Sequence, residues 1–142
     1  MITWLLLTYK LPGEPSARRV YVWRKLKKLG AVTVFEAVWV LPDSPRSYEQ
    51  FQWLVAEILE IGGEAMFWKA RSELTNQEQD LTSRFTKQVD IAYQTMLDQL
   101  GQSEPNLVAL AQEYQQIIQR DYFHSALGQQ VRNRLLAARG DN

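Results

Sequence analysis

The first 70 residues alternate between short apolar runs and segments with helical periodicity. Two segments predict helices, 16–29 and 48–61, and each is followed by a glycine that favours a left-handed C-cap, Gly30 and Gly62. Four runs rich in apolar and β-branched residues predict strands: 2–9, 31–35, 37–41 and 65–69. Residues 31–41 are typical of a hairpin with its turn near Glu36 or of one strand with a bulge. The hairpin gives the predicted order β-α-β-β-α-β.

This order is typical of a ferredoxin-like split βαβ sandwich, in which two helices cover one face of an antiparallel four-stranded sheet. We therefore predict an α+β fold with a ferredoxin-like βαββαβ domain over residues 1–72. Residues 73–142 differ in character, because their apolar positions recur at helical spacing. They predict a C-terminal helical appendage of two or three helices, over 75–101, 106–122 and 126–138. Either this appendage or a second subunit is expected to cover the other face of the sheet.

Composition and charge exclude several classes of protein. The 142 residues include 16 Lys and Arg, 16 Asp and Glu, and no Cys. A net charge of zero excludes a protein that coats polyanions over its whole surface, and the lack of Cys excludes disulfide frameworks and thiolate metal sites. No apolar run approaches the roughly 20 residues that span a bilayer, and no signal peptide is evident. We expect a cytoplasmic protein without a membrane partner.

The sequence offers little for catalysis or for metal binding. The only histidine, His124, follows the Arg-Asp-Tyr-Phe segment 120–123 at a predicted helix end, where a surface or capping role is expected. Three aspartates of the helix predicted at 75–101 are spaced by ten and eight residues, with Arg84 and Lys87 between the first two, so we expect salt bridges on a solvent-facing surface: Asp80, Asp90 and Asp98. We expect no metal site, no cofactor and no enzymatic activity.

The strongest local signal is the charge of the helix at 16–29. It carries six basic residues and no acidic one. On a helical wheel Val22, Trp23, Leu26 and Leu29 share one side, and the opposite arc is basic. Such a stripe suits a phosphate backbone, since each contact adds affinity by releasing counterions. The alternative is an ordinary solvated face. The stripe consists of Arg18, Arg24, Lys25 and Lys28.

The turn before this helix is a second, weaker candidate. Free N–H groups at a helix N-terminus bind oxyanions, and Ser16, Arg18 and Arg19 lie next to them. Two alternatives remain open. The segment from Leu11 to Ser16 is also typical of a plain strand-to-helix turn, and Arg19 lies on the apolar arc, where it can pair with a carboxylate instead.

Five tryptophans precede residue 70. Aromatic side chains on an open sheet face can stack on bases, but we expect these to lie in the core or in a dimer interface, because they fall on apolar strands or on helix faces that meet the sheet. They are Trp4, Trp23, Trp39, Trp53 and Trp68.

The combined motifs resemble the N-terminal domain of the ChrB family, the regulators of bacterial chromate-resistance operons. The resemblance covers nearly the whole chain and rests on these segments: Trp4-Leu5-Leu6-Leu7, residues 9–16, residues 18–26, residues 38–42, residues 62–65, Arg84-Phe85, Asp90-Ile91-Ala92-Tyr93 and Arg120-Asp121-Tyr122-Phe123.

The resemblance implies a chromate-responsive transcriptional regulator whose N-terminal domain contacts DNA. The basic residues of the first helix are then the candidates for DNA binding, namely Arg18, Arg19, Arg24, Lys25 and Lys28. Longer family members continue into a second, chromate-resistance domain, whereas this sequence stops at Asn142, so we expect a stand-alone homologue. The alternative is therefore a dimerisation or interaction module that works with a separate protein carrying that domain.

The core is also similar to the ferredoxin-like part of phenylacetate-type repressors and of CRISPR spacer-acquisition nucleases, and these proteins often form dimers. We therefore expect a homodimer. Those nucleases have an acidic residue at the end of the first strand, where this chain has Thr8, Tyr9 and Lys10. We accordingly do not expect nuclease activity.

Overall fold

The structure, a computed structural model, describes residues 1–13 and 16–140. It consists of two compact units, residues 1–78 and residues 79–142. The first unit is α+β and contains the sheet, and the second contains the C-terminal helices.

The first six elements follow the predicted order. The sheet is four-stranded and antiparallel, with the order β2-β3-β1-β4, so β1 is central and β4 lies at one edge. The elements are β1 (Trp4–Lys10), α1 (Ser16–Leu29), β2 (Val32–Val34), β3 (Val38–Pro42), α2 (Pro45–Glu60) and β4 (Glu64–Ala70).

The strand register assigns residues to the two faces of the sheet. Leu7 pairs with Trp39 on one side and with Phe67 on the other, so these three side chains share a face. The rings of Tyr48 and Phe51 from α2 contact Phe67 edge-on, with centroid distances of 5.2 and 6.1 Å. This is therefore the face that the helices cover.

The opposite face is also buried at the centre of the sheet. Trp4 and Val40 lie on it and are only 2% and 1% exposed. Toward the β4 edge the same face becomes accessible, because Met66 and Trp68 are exposed. The sheet therefore has a covered centre and one open edge.

The turns confirm the local sequence signals. Gly30 ends α1 with a φ of 79°, as predicted. The β2–β3 hairpin turns at Phe35 and Glu36, whose φ values of 54° and 57° are those of a tight hairpin turn. The α2 helix begins at Pro45, three residues before the predicted start, since Ser44 caps it by accepting from the N–H of Ser47.

The remaining helices are α3 (Thr75–Leu100), α4 (Leu107–Ile118) and α5 (Ala126–Ala138), with Asn106 and Ser125 as the N-caps of α4 and α5. The C-terminal region was predicted to contain two or three helices, and three are present in the described residues. The carboxylate of Glu78 in the first turn of α3 accepts from the N–H of Ile2 at 2.8 Å. One cluster forms the core of the second unit: Val89, Tyr93, Met96, Leu100, Leu110, Ile117, Val131 and Leu135.

Of the two predicted places for the tryptophans, core or dimer interface, the core contains two of the five residues. Trp4 and Trp39 are buried. Trp23, Trp53 and Trp68 are 48%, 62% and 44% exposed. The reason is that α1 and α2 bury a narrower arc than the wheel suggested, and that β4 lies at the edge of the sheet. A role of these three residues in a dimer interface stays a prediction.

Within residues 1–13 and 16–140, no helix has the length and apolarity needed to cross a membrane.

Candidate nucleic-acid interface

The basic surface is built on α1, which packs with a narrow apolar side. Val22 and Leu26, one helical turn apart, are fully buried, whereas Arg24, Lys25, Lys27 and Lys28 are exposed. Burying this pair fixes the rotation of the helix, so the exposed cations are held on one side.

Three of the predicted DNA-binding residues lie together. Arg24, Lys25 and Lys28 line a shallow groove of about 460 Å³ on α1, together with Tyr21 and Ala17. The groove is open to solvent and combines cationic side chains with one aromatic ring. Such a surface can bind the phosphates of a duplex backbone, which require neutralising charge rather than a deep pocket.

An acidic residue of α2 faces this groove. The Nζ atom of Lys25 lies 3.7 Å from Oε1 of Glu57, and the hydroxyl of Tyr21 donates to Oε2 of the same carboxylate at 2.5 Å. That hydrogen bond raises the pKa of Tyr21. Lys25 also lies 5.6 Å from the centroid of the Tyr21 ring. The charge pattern of α1 gives no signal for Glu57, which lies on α2, although two helices that cover one face of a sheet are neighbours.

The two arginines at the start of α1 contact the protein's own backbone. The guanidinium of Arg18 is partly buried and donates to the carbonyl of Ile61, the C-cap of α2, at 2.9 Å. Arg19 is exposed and, within the described residues, donates to the carbonyl of Gly13 at 3.0 Å. A basic side chain at a helix C-terminus is stabilising, which gives Arg18 a structural role.

The predicted oxyanion site at the start of α1 lies partly outside the described residues. Ser16 is exposed as the first residue of the helix, but the turn before it includes Glu14 and Pro15, which fall outside 1–13 and 16–140. The structure thus places Ser16, Arg18 and Arg19 near one helix end, and anion binding there stays a prediction.

A second groove lies on the other flank of α1. Tyr9, Leu11, Arg19, Val20 and Trp23 line a volume of about 400 Å³, and the Nζ atom of Lys27 lies 5.7 Å from the centroid of the Trp23 ring. Burial raises the pKa of Tyr9. Two exposed aromatic rings therefore lie among the cations of α1, a combination that suits contacts to sugar, phosphate and exposed bases.

The second unit contains a polar network that the sequence analysis did not predict. The Tyr93 hydroxyl donates to Oδ2 of Asp121 at 2.9 Å, and both oxygens of Asp121 accept from the N–H of Ser125 at 3.0 and 3.1 Å. The Ser125 hydroxyl donates to Asp90. The network joins α3 to the start of α5, and it brings together two of the motifs singled out in the sequence, those of residues 90–93 and 120–123.

The predicted roles of His124 and of the acidic residues on α3 have different outcomes. His124 is exposed just before the N-cap of α5, as expected. Asp90 is partly buried and accepts from Ser125, so its expected place in a solvent-facing salt bridge is wrong. Asp98 is exposed and accepts from Gln94 on the same helix. Asp80 is also exposed. In the described part of the chain, no group of three or more His, Cys, Asp or Glu residues can hold a metal ion.

Comparison with known proteins decides the family. The profile described as "Protein ChrB, N-terminal" matches residues 19–116, more than half of the chain. The chain belongs to the ChrB N-terminal family. The matched range contains α1 from Arg19 onward, including the groove of Arg24, Lys25 and Lys28, and it extends into α4.

One curated relative is similar to this ChrB-family chain. It is Protein ChrB of Cupriavidus metallidurans (strain CH34), which is 27% identical over 89 residues, or 63% of this chain. The matched stretch covers 28% of the length of that relative. No solved structure matches the chain.

Proposed function

We propose that this ChrB-family chain is a non-enzymatic transcriptional regulator of chromate resistance that binds DNA through α1. The observation that carries the proposal is the groove of Arg24, Lys25 and Lys28 on an exposed helix that has six basic residues and no acidic one. Family membership supports the link to chromate resistance.

The surface favours contact with the DNA backbone over readout of bases. The chain carries no net charge, so nonspecific attraction has to come from a local surface, and α1 is the most basic element. The cations project from one side of a rigid helix, which fixes their relative positions. Binding through such a surface is sensitive to salt and is only weakly dependent on sequence.

As part of this proposal, the first unit is the ferredoxin-like sandwich that the order of its elements predicts. The strand order β2-β3-β1-β4 and the two helices on one face support it. In this arrangement the side of α1 that carries Arg24, Lys25 and Lys28 faces solvent, so a duplex can reach it without unfolding any element. We further propose that the regulator acts as a homodimer in the cytoplasm.

The proposal is tested by measuring binding of the purified protein to random duplex DNA and to DNA from its own upstream region over a salt series. We expect salt-sensitive binding to both DNAs, with a modest preference for the upstream DNA, that weakens when chromate is added. Absence of binding even at low salt contradicts the proposal. Binding that does not respond to chromate contradicts only the sensing part of it.

The alternative function is that of an interaction module that works with a separate chromate-resistance domain protein. The exposed Trp53 and Trp68 favour it, because exposed aromatic side chains are enriched at protein interfaces. Co-purification of this chain with the product of a neighbouring gene that encodes such a domain, together with no DNA binding, would favour the alternative.

A further inference from the structure

The β4 edge of the sheet has the properties of a docking strand. β4 is seven residues long and, in the described part of the chain, pairs with β1 alone. Proteins usually protect such edges with short strands, charged side chains such as lysine, prolines or bulges. β4 contains no proline, and its one lysine, Lys69, pairs with Asp43. Its Met66 and Trp68 are 61% and 44% exposed on the same face. The opposite edge, β2, has only three residues.

The helix layer is also open at this edge. A groove of about 970 Å³ runs between α2 and β4, and Tyr48, Gln52, Trp53 and Lys69 are among the residues that line it. Trp53 is exposed, and Lys69 lies over the ring of Tyr48 at 5.2 Å and 3.3 Å from Asp43. Apolar surface is thus accessible on both faces of the sheet next to β4, as expected where a further strand adds to the sheet.

We propose that a second copy of this chain pairs with the β4 edge through its own β4, in antiparallel orientation. The sequence of the strand is complementary to itself in that orientation. With Phe67 opposite Phe67 of the second copy, Met66 lies opposite Trp68, which gives two apolar cross-strand pairs on one face. Such pairs are the main source of stability between neighbouring strands.

Charge selects the antiparallel orientation. β4 begins with Glu64, and its other end carries Lys69 and, directly after the strand, Arg71. In the antiparallel register Glu64 lies opposite Ala70 of the other copy and no like charges face each other, whereas parallel in-register pairing would place Glu64 beside Glu64 and Lys69 beside Lys69. The contact is therefore symmetric, as in the commonest class of homodimer, and it joins the two sheets into one of eight strands.

The two-fold axis of this dimer passes through the sheet near Phe67. The α2 helices of both copies then lie on the same side of the joined sheet. This inference rests on the homodimer proposed above but not on DNA binding, so the two can fail separately. A chain that forms this dimer without binding DNA would contradict the regulator and leave the interface in place.

The first test is the oligomeric state by sedimentation velocity. We expect the wild-type chain to be a dimer and the double variant Met66→Lys/Trp68→Lys to be a monomer at the same concentration, with an unchanged circular dichroism spectrum. The control is Ile91→Lys/Val108→Lys, which alters two residues on α3 and α4 that are 72% and 71% exposed, and which should remain a dimer. A monomeric wild type, or a dimer that persists in the β4 variant, overturns the proposal.

The second test locates the contact without disrupting it. The chain has no cysteine, so a disulfide can form only between introduced residues. Facing residues of antiparallel strands have Cα atoms about 4.5 to 5.5 Å apart, within the range of a disulfide. We expect Glu64→Cys/Ala70→Cys, which keeps Met66 and Trp68 and whose two positions face each other in the same register, to yield a covalent dimer on mild oxidation. Ile91→Cys/Val108→Cys should yield none. No covalent dimer from the β4 pair contradicts the interface.

Discussion

The ammonium group of Lys25 on α1 lies 3.7 Å from the carboxylate of Glu57 on α2. One acidic residue therefore opposes part of the basic groove in which DNA binding is proposed. The pair is solvent-exposed on the side of Lys25, so its contribution to stability is small. Its greater effect is on the electrostatic potential at the groove, where a DNA phosphate is proposed to bind.

Removing the charge of Glu57 should strengthen DNA binding. In Glu57→Gln, Lys25 is released from its partner and the local potential becomes more positive, so we expect a several-fold higher affinity for random duplex at low salt. Fluorescence anisotropy with a labelled duplex measures the effect. The control is Glu49→Gln, also on α2, which alters a carboxylate in the groove beside β4. Equal effects of both variants would mean that the groove on α1 has no special role.

Replacing Arg18 should destabilise the folded protein, whereas replacing Arg24 should not. Because Arg18 donates to the C-cap carbonyl of α2, Arg18→Ala should lower the free energy of unfolding by about 0.5 to 1.5 kcal/mol. Arg24→Ala, at an exposed position, should change it by less than about 0.5 kcal/mol. Urea denaturation followed by circular dichroism compares the two. The assignment of a structural role to Arg18 is wrong if both variants are as stable as the wild type.

The Tyr93 hydroxyl should stabilise the second unit in a pH-dependent way. Burial, and next the hydrogen bond to Asp121, raise the pKa of Tyr93 well above its ordinary value of 10. As the pH rises, the unfolded chain therefore loses this proton before the folded protein does. The contribution is complete below about pH 10 and is lost above it.

We therefore expect Tyr93→Phe to be less stable than the wild type by about 1 to 2 kcal/mol at pH 7, and the difference to shrink above pH 10. Denaturation curves from pH 7 to 11 measure this. Tyr114→Phe is the control, since the Tyr114 ring lies beside that of Tyr93 at a centroid distance of 6.3 Å. A difference that is constant with pH would contradict the raised pKa.

Close packing between α5 and α3 should make Gly128 intolerant of a side chain. A Cβ atom at Gly128 would lie 2.8 Å from Cζ of Tyr93, so the buried ring would have to move. We expect Gly128→Ala to lower the melting temperature and to cost about 1 to 3 kcal/mol of stability. In the control, Gly101→Ala, the nearest atom to the new Cβ is at 3.5 Å, an ordinary contact. Equal melting temperatures of the two variants would argue against the tight contact.

Local signals predicted the elements well where one residue type determines the geometry. The bounds of α1 and α5 agree with the predictions, because each helix has a distinct beginning or end: Gly30 after α1 and Ser125 before α5. The start of α2 was predicted too late, since the apolar periodicity begins after the cap formed by Ser44 and Pro45. Caps lie outside the periodic pattern and need their own signal.

Features that depend on tertiary packing were harder to predict. A helical wheel placed Trp23 on the apolar side of α1, yet only Val22 and Leu26 are buried, because the sheet covers a narrow arc of the helix. Asp90 faces Ser125 rather than solvent, and nothing in the spacing of α3 shows which helix lies opposite. The basic surface itself was predictable, because it is a property of one segment, whereas Glu57 belongs to another.

The most direct test of the central claim is the salt dependence of DNA binding by Arg24→Glu/Lys25→Glu/Lys28→Glu. If these residues contact phosphates, the variant should bind random duplex far more weakly, and the slope of log K against log salt should fall by roughly 2 to 3. A matched control reverses three exposed cations of the second unit, Lys87, Arg132 and Arg134, and should behave like the wild type. Unchanged affinity and slope in the α1 variant would contradict the proposal that α1 binds DNA.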